Sequence, residues 1–302
     1  YADGGGQILF PVATSYTGNN YADTTIVASG AGSRIDLSHL LTFDGGGGYV
    51  DSHGYGHAYA TYVNALAGGK VDLSGVLNAN GGYGNIITAD GAGSALGVAA
   101  ITSISATSLS AANGAVWIFP AGWHPTWGSG NTLSASGPGN QFVNRGVLTV
   151  RGTSLPINTS DFANEGVLDP QSGSNFDFNG SLRVDQFGIL TGTTGGTFTI
   201  SGNLLGDTRN ADLYAPQALL VFDGAAAADS PQQLEVMGRE QGSDSTGFSR
   251  NFVYGTLSLS NDTYLKLVDL SDNATGTEPE ALYTNSLIVP TGTTLDLNGL
   301  HL

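Results

Sequence analysis

Hydrophobic positions along this chain come in short runs in which β-branched or large apolar residues alternate with small or polar ones, as in Thr25-Ile26-Val27, Val147-Leu148-Thr149-Val150 and Thr197-Phe198-Thr199-Ile200. Each run stops at a corner of Gly, Asn, Asp or Ser. Alternation with a period of two predicts a strand, and the corner residues predict the turn that closes it. An amphipathic helix needs apolar residues three and four apart over ten or more positions. The nearest candidate, 215–228, is broken by Gly224 and flanked by Pro216 and Pro231.

The runs recur. Residues 25–38 (TIVASGAGSRIDLS) and 61–74 (TYVNALAGGKVDLS) are identical at seven of fourteen aligned positions. The phrase returns as ADGAGSAL (89–96), SLSAANGAVWI (108–118) and LSASGPGNQF (133–142), and FVNRGVLTV (142–150) is echoed by FANEGVLDP (162–170). A period of roughly 20–25 residues built from short strands is the signature of a coil whose rungs stack in parallel. The fold expected is all-β: a parallel β-helix, or β-solenoid, with Gly-rich loop insertions and a looser β-rich C-terminal part. A β-sandwich is the alternative that regular strand spacing also allows. Four segments are expected: 1–24, an N-terminal strand, cap or assembly segment; 25–205, the solenoid rungs; 206–250, an irregular insertion with short strands; and 251–302, a C-terminal β module. The interior of so narrow a coil is expected to hold Ala, Val, Ile, Leu and small hydroxyl residues.

Composition narrows the function. The 302 residues carry nine basic and 25 acidic side chains, a net charge of −16. Nine basic residues cannot build the cationic stripe of a nucleic-acid binder. No apolar run approaches the ~18–20 residues of a transmembrane helix. With no cysteine there is no disulfide, thiolate metal site or cysteine nucleophile. The chain opens on Tyr1 rather than Met, as a processed, exported chain does.

Three clusters carry possible chemistry. Asp51, His53 and His57 lie in a Gly-rich stretch, and imidazole with carboxylate can hold a divalent metal; the competing expectation is a flexible protruding loop. Asp269, Ser271, Asn273 and Glu280 place oxygens at positions 1, 3, 5 and 12 of a calcium-loop template, with Thr275 and Thr277 between them. Calcium is therefore the one cofactor expected, though none is required, and an ordinary polar turn explains the same residues. Trp117, Trp123 and Trp127 fall within eleven residues and form a glycan-stacking platform if exposed, the plug of a long loop if buried, or the anchor of a protein interface. For catalysis, the carboxylates are dispersed; Asp36 and Asp72 match by repeat but read better as turn elements, and the expectation is a non-enzyme. A β-helix polysaccharide lyase or hydrolase is the alternative.

The last stretch, 252–302, contains the phrase TYLKLVD…EALY…SLIVPTGTTLDLNGL. It resembles the C-terminal part of large secreted, repeat-rich surface proteins of planctomycete-type bacteria, in which that phrase precedes a sorting or anchoring tail. The earlier repeats are similar, more loosely, to autotransporter and adhesin β-helices. The resemblance implies export and a place at the cell surface, and no catalytic residue.

A solenoid has two poles, each a set of unpaired strand edges that must be capped or used. The chain offers apolar strand-like runs near both ends, with Ile8, Leu9, Phe10 and Val12 at one and Leu295 and Leu297 at the other. The expectation is a secreted, extracellular or cell-surface structural protein whose copies join head to tail into a filament or surface layer. An adhesin that binds cell-surface or matrix polysaccharide through the aromatic loop is the alternative.

Overall fold

The computed structural model describes residues 1–137, 139–211, 217–242, 245–274, 276 and 280–302. It is all-β, and its strands are the stacked parallel coils of a β-solenoid. The coils fall into two compact units, Tyr1–Leu148 and Thr149–Leu302.

In the first unit one turn of the coil carries three strands, Thr24–Ser29, Arg34–Asp36 and Thr42–Asp44. The next carries Thr61–Leu66, Lys70–Asp72 and 78–80 of the strand Asn78–Asp90. All three pair in parallel with their counterparts. Equivalent side chains therefore stack in columns. One runs Ala2, Ala28, Ala65, Ala89, Ala111 and Ala135; another runs Ile26, Val63, Ile87, Leu109 and Leu133.

The corners explain why the Gly-Ser phrase repeats. Gly30, Gly32, Gly91 and Gly93 all have φ between +81° and +90°, a region closed to most L side chains. The Ser33 hydroxyl donates to Ser29 O and accepts the N–H of Gly5 in the preceding coil. Ser94 repeats both bonds, donating to Asp90 O and accepting from Gly68. Asn140 plays the same part for Gly114. Each corner thus locks onto the coil before it.

Register departs from the sequence alignment in one place. Aligning 25–38 with 61–74 sets Thr25 opposite Thr61, whereas the strands pair Thr24 with Thr61 and Ala28 with Ala65. On the following face the alignment holds, with Ile35 opposite Val71 and Asp36 opposite Asp72. The corner between absorbs the slip, and Ala67 there takes a left-handed φ of 50°.

The second unit stacks Ser154–Asn158, Asn175–Phe178, Thr197–Ile200, Leu219–Phe222, Val253–Leu259 and Tyr283–Ile288 on one face. Another face stacks Asp161–Asn164, Ser181–Val184, Leu204–Leu205, Gln232–Glu235, Tyr264–Val268 and Thr294–Asp296. Parallel ladders therefore run through 206–250 and on into 251–302. Asn164 sits inside a turn, donating to Gly166 O and Ile189 O.

The interior is wider than a small-residue core. Phe43, Phe119 and Phe142 in the first unit, and Phe162, Phe176, Phe178, Phe198 and Phe222 in the second, are all essentially inaccessible. Phe176 and Phe198, register partners, stack with centroids 5.7 Å apart and planes 10° from parallel. In-register parallel strands bring like side chains together, so one aromatic ring per coil builds its own column.

Candidate functional site

At the pole of the first unit, Ala2–Asp3, Gln7–Leu9 and Ser15–Thr17 each pair with one strand only. Ile8 stands in a column that continues through Ile35 and Val71; those two are buried, while Ile8 is half-buried. Phe10 is exposed, and Leu9 and Val12 are 58% and 88% exposed. A cavity of about 340 Å³ opens there, lined in part by Ile8, Phe10, Tyr16, Ile26, Ile35 and Leu40.

The pole of the second unit has the same character. Tyr283–Ile288 and Thr294–Asp296 pair with one strand each. Leu295 lies over fully buried Leu265 and is itself half-buried, and Ile288, Val289 and Leu297 are exposed. No α-helix occurs among the described residues to cover either pole. The expected assembly residues therefore lie in or beside these pole strands, Ile8, Leu9, Phe10 and Val12 in the first unit and Leu295 and Leu297 in the second.

The glycan platform is overturned. Trp117, Trp123 and Trp127 are 4%, 1% and 0% exposed and present no ring face to a sugar. Trp127 stands in an inward column with Tyr16, Phe43, Ala79 and Ile104, and its strand pairs onward with Val147–Val150. Trp123 packs on Phe119 at 4.7 Å and edge-on to Trp127 at 6.2 Å. The Trp117 indole N–H is spent on Ser110 O. Alternation sends 117, 119 and 127 to the inner face; a turn through Gly122 (φ +83°) brings in Trp123.

The Asp51 stretch is an antiparallel hairpin, Gly47–Val50 against Gly56–Tyr59. Asp51 accepts the backbone N–H groups of His53 and Tyr55, and the bond from Tyr55 leads those that hold its carboxyl below the usual range. His57 Nε2 lies 3.3 Å from Asp51 Oδ2, and its ring stacks on Tyr49. Asp51 and His57 are together, then, but His53 reaches the carboxylate through its backbone and not its ring. Asp36 and Asp72 are register partners, held by Arg34 and by the N–H groups of Ser38 and Ser74.

Of the calcium-template residues, two are brought inside. Asn273 and Glu280 are 2% and 5% exposed, while Asp269 is exposed and Ser271 contributes its backbone N–H rather than its hydroxyl; Thr275 and Thr277 lie outside the described residues. The acceptor of that N–H is a residue the sequence reading missed. Glu235, fully buried, takes the N–H groups of Leu270 (2.6 Å) and Ser271 (2.8 Å) on Oε1. Glu280 Oε1 likewise accepts from Ala274. The Asn273 amide donates to Gly206 O (3.2 Å) and Thr208 O (2.8 Å). Burial pushes the Glu235 carboxyl up to about 7, against the pull of Ser271 and Leu270, and Asp269 adds to the rise. Burial does the same to Glu280, also to about 7, with Asp269 and Glu235 adding to it.

Comparison of the chain with protein-family models, with curated proteins and with solved structures found no match.

Proposed function

We propose that this chain is a structural subunit of a secreted bacterial filament or surface layer, assembled by pairing the pole strands of the first unit in one copy with the pole strands of the second unit in the next. The observation that carries the reading is the state of the columns: Ile8 and Leu295 stand in register with buried core residues of their ladders and are themselves half-buried. The five pole strands Ala2–Asp3, Gln7–Leu9, Ser15–Thr17, Tyr283–Ile288 and Thr294–Asp296 all pair in parallel. A second copy added in the same orientation therefore continues both the hydrogen bonding and the apolar columns, a non-closing contact that propagates. Flat edges of this kind are normally guarded by lysine, and the chain has two, Lys70 and Lys266, neither in a strand at a pole. The resemblance of 252–302 to exported surface proteins agrees with an extracellular setting.

Sedimentation velocity and negative-stain imaging over a wide concentration range test this. The expected outcome is a salt-promoted series of linear oligomers, because screening relieves repulsion between chains of net charge −16. Leu9→Lys and Leu297→Lys, each at an exposed position, should each shorten it. A chain that stays monomeric at every concentration and salt level rejects the reading.

A further inference from the structure

The geometry points to a calcium site inside the second unit, formed by Glu235 Oε2, Glu280 Oε2 and Asn273 Oδ1. These three acceptors are buried, and none has a hydrogen-bond partner among the described residues. Each belongs to a side chain whose other polar atoms are engaged locally: one oxygen of each glutamate on the backbone of 270–274, and the Asn273 amide nitrogen on the carbonyls of Gly206 and Thr208. The engaged halves fix all three side chains against one short loop, 270–274.

Buried polar groups in native proteins are nearly always satisfied, and an unsatisfied one calls for an explanation such as a bound ion. Three oxygens unsatisfied around a single loop, two of them on carboxylates, make the demand specific. Neither glutamate is ion-paired among the described residues, and the neighbouring charges that act on them are negative: Asp269 on both, and Glu235 on Glu280. A divalent cation matches the two carboxylate charges. An all-oxygen set of carboxylates and an amide carbonyl suits calcium, which tolerates irregular geometry, better than zinc or copper. Among the described residues no three carboxylate, imidazole or thiol groups gather as a metal centre; here the third donor is an amide oxygen. The ion ties the 270–274 loop to the strand Gln232–Glu235 and, through Asn273, to the backbone at 206–208. Exposed Asp269 contributes its field from the rim. This inference stands apart from the assembly reading, since the site lies within one unit and needs no second copy.

The test is calorimetric titration of chelator-treated chain with calcium chloride at pH 8, beside thermal melts in calcium, magnesium and ionic-strength-matched sodium chloride. The expected result is one saturable site, a melting temperature raised by calcium well beyond the sodium control, and a weaker response to magnesium. Glu235→Gln with Glu280→Gln should abolish the binding heat. Should that pair fail to fold, Asp269→Asn serves instead: exposed and outside the ligand set, it should weaken calcium binding several-fold. Asp51→Asn, in the hairpin, should leave the titration unchanged. Absence of saturable heat in the native chain, a melt no different from the sodium control, or heat lost in Asp51→Asn but kept in the glutamate variants overturns the site.

Discussion

Arg34 Nη2 stands 2.9 Å from Asp72 Oδ2 in the next coil, and 2.9 Å from Asp36 Oδ2 in its own. One guanidinium thus bridges two carboxylates that the parallel register places side by side. Removing it leaves two like charges stacked. The arginine side chain is 42% exposed, so solvent screens the interaction. Arg34→Met is expected to cost about 0.5–1 kcal/mol in urea unfolding at low salt, and less as salt rises. Adding Asp72→Asn should recover part of the loss.

The tryptophans act as core. Trp127→Ala removes a ring from within an inward column at a position with no exposure and should destabilise the first unit by roughly 3–5 kcal/mol, read from denaturant midpoints. Iodide should quench the native fluorescence weakly, since all three indoles are buried, and adding oligosaccharide should leave the emission unchanged.

Ala67 holds a left-handed backbone at the corner where the register slips. Ala67→Gly removes the clash of its Cβ and is expected to stabilise by about 0.5–1 kcal/mol in spite of the greater freedom it gives the unfolded chain. The same change at Ala65, in the buried alanine column, should destabilise. Melting of the two variants side by side separates conformational relief from loss of packing.

Asp177 carries a carboxyl raised above its ordinary value, first by burial and then by the neighbouring Asp223. A carboxyl whose folded value lies above its unfolded one binds its proton more tightly in the fold. Stability is therefore lost as pH rises from the unfolded value through the folded one, and the ionised group weighs on the fold above that. Asp177→Asn should raise the melting temperature at pH 7, and the gain should shrink as pH falls through the carboxylate range. An equal gain at every pH contradicts the electrostatic origin.

The sequence by itself determined the coil. Parallel stacking demands one strand-and-corner unit per turn, and a left-handed corner demands Gly or a close substitute. The architecture is therefore written locally and repeatedly, in GAGS at 30–33 and again at 91–94. The open poles were legible for the same reason, as apolar strands near each end. Only the tertiary structure decided which face of each strand turns inward. A one-residue slip reverses every side chain, and the slip at Thr24 opposite Thr61 is absorbed in a corner that the repeated phrase does not reveal. That choice of face put the three tryptophans in the core and withdrew the glycan platform. It also brought Glu235 beneath Leu270 and Ser271, a meeting no local motif records, because its partners lie one full coil further along the chain. Local chemistry sets the period of a solenoid; what the stacked coils bring together depends on register, and register is fixed only when the coils pack.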